Sequence, residues 1–384
     1  MKLTRNLLLI TISTFFFFYS FHSFLILPLR IVELGGSEFD IGFIMSIAGV
    51  STILLTPLSG ILGDIYKKKY LLLLGSLVLG FTNFSFTFFD NLYYSYLFLR
   101  FLQGCCFSFF FVSAGTLVAE STNKENQTQA LGFLGVFAIL NHALAPTVSA
   151  EIIKYFSYDF FFMTTAFASF ASFLIALMIT TEKNKKEDKI KEFNFLITFK
   201  DNKFILIYSI MFLIGGSFLT CLNFAAVFAD SFNIVPITTF FIAYTGIALI
   251  MRIFFGWLPD KYGPSRILHP FLLIYGFSIF ILSLSDSFWA FLISGAIFGF
   301  SHALVYPSLY SLALMFSEEE NKAKSFSICS VSFTLGGMIF SIIYGLVAEL
   351  YSFKVMFLSC SIIVTIGFFF LTKKLHKEIV YDNR

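Results

Sequence analysis

Arg100 stands inside a long apolar run, with Gln103 and Gly104 following at helical spacing in the stretch Arg100-Phe101-Leu102-Gln103-Gly104. A guanidinium at membrane depth costs about 2.5 to 3.5 kcal/mol on insertion scales and needs a polar partner. A cation kept there against that cost points to binding or moving charge. Other polar groups fall near the middle of apolar runs: His22, Asn83, Asn141, His142, Asn223 and His302. A neutral imidazole titrates near pH 6.5, so the histidines are candidate proton carriers. A lone histidine or asparagine on an apolar helix also serves simply as a hydrogen-bonding bridge to the next helix.

A second set of charges sits where apolar runs end. Gly60-Ile61-Leu62-Gly63-Asp64 closes one run and Gly256-Trp257-Leu258-Pro259-Asp260 closes another, and both the glycine and the aspartate recur 196 positions later. Each aspartate meets water at the end of its helix. One unit is therefore present twice.

The elements that must position these groups follow from composition. With 58% hydrophobic residues, 13% charged residues and a mean hydropathy of +0.85, the chain has more apolar surface than a water-soluble core hides. About 20 helical residues cross the hydrocarbon slab. Runs of that size lie at 7–29, 41–62, 70–89, 92–118, 130–150 and 159–181, then at 204–229, 238–258, 267–285, 287–315, 326–348 and 354–372. The first has a basic start but no small-residue cleavage pattern, so it reads as a retained span and not a signal peptide. Five cysteines fall inside spans as small apolar fillers, without zinc or disulfide spacing. The 57 phenylalanines read chiefly as lipid-facing filler.

Orientation follows from the basic residues, which resist translocation. With both termini inside, 21 lysines and arginines fall on the cytoplasmic side and 3 outside, leaving Arg100 and Arg252 within the membrane. The longest polar run, from Glu182 to Glu192, lies in a cytoplasmic linker (182–203) that separates an N-terminal bundle (1–181) from a C-terminal one (204–384). Mixed charge with scarcely an apolar residue cannot pack.

Two six-span halves joined by a charged loop, each with Gly-x-Leu-x-Asp after its second span, resemble the major facilitator superfamily, and the resemblance covers almost the whole chain. It implies an all-α membrane protein with twelve transmembrane helices in two pseudo-symmetric six-helix bundles. The family's loop signature is matched by Gly256, Asp260, Lys261, Gly263 and Arg266, and less fully by Gly60, Asp64, Lys68 and Lys69. Lys67 stands where glycine is usual, so the first turn is expected to take a different shape.

By that resemblance Asp64 would meet the start of span eleven near Phe326 and Asp260 the start of span five near Ala130, closing an inner gate through helix N-terminal amides. Glu120 resembles the acidic member of the inner charge relay, and Arg252, two helical turns before Asp260, would serve the second half. Arg100, Gln103 and Gly104 resemble the span-four signature, with Arg100 facing span one. The resemblance places His22 opposite Arg100 as a proton carrier. Gly132, Asn141 and Pro146 fall at positions of the antiporter signature of span five, and Gly299 and Pro307 give span ten a small stripe ending in a kink.

The expectation is a secondary transporter in the cell's inner (plasma) membrane. It would export small amphiphilic or anionic molecules in exchange for protons by alternating access, with Arg100, Gln103, His22, Asn141, His142, Asn223 and His302 serving substrate and coupling. An importer of a nutrient or organic anion is the alternative. A membrane enzyme or haem protein is disfavoured: no His-Glu-x-x-His, Gly-x-Ser-x-Gly or nucleotide loop is present, and the histidines lie on separate segments. No metal, cofactor or nucleic acid is expected, and a monomer embedded in lipid should suffice.

Overall fold

In a computed structural model the described residues are 4–123, 126–180, 201–318 and 321–382, and among them every regular element is helical. Most of the expected linker, 182–200, lies outside them, as do the two chain ends. The helices are α1 (Arg5–His22), α2 (Leu27–Glu33), α3 (Glu38–Ile65), α4 (Lys68–Ser85), α5 (Leu97–Glu120), α6 (Gln127–Tyr155) and α7 (Tyr158–Leu177), then α8 (Asn202–Ser231), α9 (Thr239–Phe255), α10 (Leu258–Tyr262), α11 (Pro264–Ser283), α12 (Phe288–Phe316), α13 (Lys322–Leu350) and α14 (Phe353–Asp382). Eleven stretches are long and apolar enough to cross a membrane, and the shorter apolar helix α9 stands at the place of span eight. With it the described residues supply twelve apolar helical stretches.

Local chemistry explains several boundaries. Thr4, Ser157, Asp201 and Ser287 each accept a backbone amide of the following first turn, capping α1, α7, α8 and α12. Span one is not a single rod: α1 passes through a tight 3-10 turn at Ser23–Ile26 into α2, which carries Pro28 in its first turn. Span four begins with a π-helical turn at Leu92–Tyr96 before α5. Asp40 and Ser37 cap each other at the start of α3, Ser37 N–H donating to Asp40 Oδ2 at 2.9 Å and Asp40 N–H to Ser37 Oγ at 3.3 Å.

The chain divides into two compact units, one comprising 1–36 with 47–188 and the other 37–46 with 189–384. The expected halves differ from this at the start of α3, whose first residues cluster with the second unit. The cause is close backbone approach: Gly42 lies against the Ser341 carbonyl, the Glu38 carbonyl faces Gly345, and Phe39 N–H donates to Glu349 Oε2 at 3.2 Å.

Within each unit the same pairs of helices pack. In the first, α1 lies on α6 and α7, and α4 on α5 and α7; in the second, α8 lies on α13 and α14, and α11 on α12 and α14. The repetition extends to single residues. A side chain at Gly104 of α5 would collide with the Ala48 carbonyl of α3, and one at Gly299 of α12 with the Tyr244 carbonyl of α9. Gly80 of α4 against Phe170 of α7 is matched by Gly276 of α11 against Thr365 of α14. These contacts carry the separation of about 196 residues seen in the paired Gly-x-Leu-x-Asp stretches.

Phenylalanine serves both surface and interior. Phe167 and Phe370 are exposed, whereas Phe17 and Phe110 are buried and stacked with centroids 3.7 Å apart. All five cysteines are free; Cys106, Cys221, Cys329 and Cys360 are buried and Cys105 is half-buried.

Replacing Gly104 or Gly299 by leucine is expected to destabilise the protein by at least about 1 to 3 kcal/mol, the cost of overpacking a close contact. Gly132→Ala, at a position with open space around it, should be near neutral. Thermal unfolding of the purified variants in detergent checks both.

Candidate functional site

In the first unit Arg100 is 5% exposed, and its Nη1 donates to Gln103 Oε1 at 2.6 Å, one turn along α5. Gln103 Nε2 then donates to Asn83 Oδ1 on α4 at 2.7 Å, Asn83 Nδ2 to Ser20 Oγ on α1 at 2.9 Å, and Ser20 Oγ to the Thr165 carbonyl on α7 at 2.8 Å. Every donor points the same way, from the guanidinium to a carbonyl, so each bond polarises the next. Four helices are tied by one chain. Asn83, named only as a polar midspan group, and Ser20, not named at all, are its middle members.

His22 is not placed on that chain. Its ring contacts are Phe18, Phe21 and His142 of α6, the last stacked at 4.2 Å between centroids and tilted by 23°. Ser20 and His22 are two residues apart, so they point about 200° apart around α1; Ser20 meets α4 and α7 while His22 meets α6. Asn141, also on α6, is fully buried and donates to the Phe15 carbonyl at 3.1 Å and the Phe137 carbonyl at 2.9 Å, which makes it a bridge from α6 to α1.

Both ends of this unit are held by ion pairs and helix-end bonds. Lys68 pairs with Glu120, joining two candidate gating residues. Lys69 Nζ donates to the Leu177 and Ile179 carbonyls at 2.8 and 2.6 Å, placing a cation at the C-terminus of α7. Arg30 meets Asp90 at 2.9 Å and Glu33 at 3.2 Å and lies 4.9 Å over the Tyr158 ring. Gly60 has open space around it, and the side chain of Asp64 lies outside the described residues.

In the second unit His302 of α12 is 4% exposed and enclosed by rings: Phe218 stacks on it at 4.4 Å, with Tyr306 at 5.6 Å and Tyr244, Tyr275 and Phe298 at 6.0 Å. Beyond it the Tyr306 and Tyr310 hydroxyls lie 3.2 Å apart and Tyr310 reaches Ser330 Oγ at 2.9 Å. Asn223 Nδ2 donates to Ser341 Oγ at 3.0 Å, bridging α8 to α13. Arg252 lies within electrostatic reach of Tyr244 and Tyr306.

α9 ends at Phe255 and α10 starts at Leu258, so Arg252 and Asp260 stand on different helices. Asp260, Lys261 and Arg266 are exposed, with Lys261 Nζ over the Trp257 ring at 5.1 Å. The two loop copies differ in shape as expected: Gly263 has φ +87°, a conformation glycine tolerates, whereas Lys67 takes an ordinary φ of −64°. Pro146 and Pro307 both lie inside helices, α6 and α12. The groove between α4 and α5, about 460 Å³ and lined by Phe81, Tyr94 and Phe98 among others, includes none of these candidate groups.

Among known families, the Major Facilitator Superfamily matches residues 7–268 and 235–380. An MFS-type transporter of Methanocaldococcus jannaschii is 25% identical over 91% of this chain and 92% of its own. A multi-drug resistance efflux pump PmrA homolog of Lactococcus lactis is 23% identical over 94% and 93%. The crystal structure of the nucleoside transporter NupG superposes with a TM-score of 0.81 over 98% of this chain and 99% of that one, at 14% identity, a likeness of fold alone.

Breaking the polar chain at its middle should be costly. Asn83→Leu takes the acceptor from the buried Gln103 amide N–H and a donor from the Ser20 oxygen and is expected to lose about 1 to 3 kcal/mol, while Asn83→Gln should lose less. Thermal unfolding in detergent ranks the two.

Proposed function

The chain belongs to the Major Facilitator Superfamily and is a multi-pass membrane transporter, and from that premise we propose that it exports small amphiphilic or anionic molecules in exchange for protons. The observation that carries this reading is the guanidinium of Arg100, buried in the first turn of α5 and locked by a one-directional chain of hydrogen bonds. A fixed buried cation favours an anion or the negative end of a dipole and disfavours a small cation. Full-length similarity to an efflux pump homolog supports the outward direction.

In this reading the two bundles rock about a midplane site. Arg100 and Gln103 contact cargo, and the ring-enclosed His302 offers an apolar wall with one polar edge. Asp64 and Asp260 serve the inner gate together with Lys68 and Glu120. Both termini and the linker lie in the cytoplasm, supported by the bias of basic residues.

The test uses cells lacking their own pumps, loaded in parallel with an anionic and a cationic fluorescent dye. Cells expressing the chain should lose the anionic dye several-fold faster, a protonophore should abolish the difference, and Arg100→Ala should return efflux to background. Greater accumulation of dye indicates import, and efflux untouched by the protonophore rules out proton exchange; either overturns the reading.

A further inference from the structure

The imidazoles of His22 and His142 stack on each other beside the hydrogen-bonded chain that runs from Arg100 to the Thr165 carbonyl. We propose that the two rings form a single proton-binding site shared between α1 and α6, which couples protonation to the packing of span one. This rests on the proton-exchange reading above and names the groups that take the proton.

The geometry is that of a unit and not of two separate residues. The rings lie face to face at 4.2 Å, and Phe18 stacks on His22 at 5.2 Å with Phe21 edge-on at 5.8 Å. The Nδ1 of His22 is buried and has no hydrogen-bond partner among the described residues. An imidazolium lying over aromatic faces is stabilised by their quadrupoles. A second proton would set two like charges ring to ring in a low-dielectric setting, where their repulsion is strong. A second proton is therefore resisted, and the protons of the pair leave in steps that belong to the pair.

Among the described residues the titratable group that interacts with His22 is His142. On α1 itself Tyr19 is half-buried, and Ser23 Oγ donates to its backbone carbonyl at 2.8 Å. On the helices packed against α1, Arg100 is bonded to Gln103 on α5, which also carries the thiols of Cys105 and Cys106. The other charged or titratable groups there stand toward helix ends: Glu120 at the end of α5, Glu151, Lys154 and Tyr155 late in α6, and Tyr158 and Asp159 at the start of α7.

The position of the pair gives it leverage. His22 is the last residue of α1, immediately before the 3-10 turn, and lies two residues after Ser20, the member of the Arg100 chain on the same helix. A charge gained at His22 therefore acts on the helical turn that holds the far end of that chain. Protonation and the setting of Arg100 become linked through one turn of α1.

The test is a pH titration of the purified full chain in detergent with ¹⁵N-labelled histidine, read by NMR, for the natural protein, His22→Asn and His142→Asn. The pair should titrate in two steps separated by more than about one pH unit. Each single variant should leave the remaining ring with one step and a midpoint moved by a similar amount, while His269, His302 and His376 stay unchanged. Should His142→Asn fold poorly, His142→Phe keeps the stacking and removes the titrating nitrogens, with the same expected outcome. A His22 titration identical with and without the His142 imidazole overturns the proposal. That failure is separable from failure of proton exchange, which dye efflux by the natural protein alone decides.

Discussion

A lipid interior offers no hydrogen bonds, and this one condition governs how the polar groups of the first unit are arranged. Once Arg100 is buried in α5, its donors must find acceptors inside the protein. Gln103, Asn83 and Ser20 supply them in sequence until a backbone carbonyl of α7 ends the chain. The bonds hold four helices in register around a cation that could not remain there alone. Serines repeat the device on a smaller scale: Ser13 and Ser172 exchange bonds with each other's carbonyls between α1 and α7, and Ser169 reaches the Ser76 carbonyl on α4. Close approach at Gly104 makes the tight packing possible.

The second unit uses the same frame with different chemistry. Gly299 meets Tyr244 as Gly104 meets Ala48, and the helix pairings correspond. Yet the place of the guanidinium chain is taken by rings around His302 and a run of tyrosine hydroxyls. These helix ends diverge as well, since Lys68 and Glu120 form an ion pair whose positions one repeat later hold Pro264 and Phe316. Duplication preserved the backbone crossings, which tolerate no side chain, and released the positions between them for separate roles.

Much of this was legible in the residues. Apolar runs alternating with charge clusters marked the spans, because about 20 helical residues per crossing is a strong constraint. The Arg100–Gln103 bond follows from their spacing of three on a helix. The unlike turns at Lys67 and Gly263 followed from which residue accepts positive φ. What stayed hidden was contact between distant segments: nothing in a chain links Ser20 to Asn83, or His22 to His142, until the helices are assembled. Arg252 and Asp260 fall on successive helices because Gly256 and Pro259 between them are ordinary helix breakers. The neighbours of His22 stayed hidden because a shift of two residues around α1 exchanges one neighbouring helix for another.

The sulfur atoms carry a practical corollary. Four of the five thiols are walled off by packed side chains, and the fifth is half covered. Water-borne maleimides would find little to react with in the natural chain, so one cysteine introduced at a rim or along α3 would report on its own surroundings against a nearly silent background. Movement between states could then be followed by labelling rates without first rebuilding the interior.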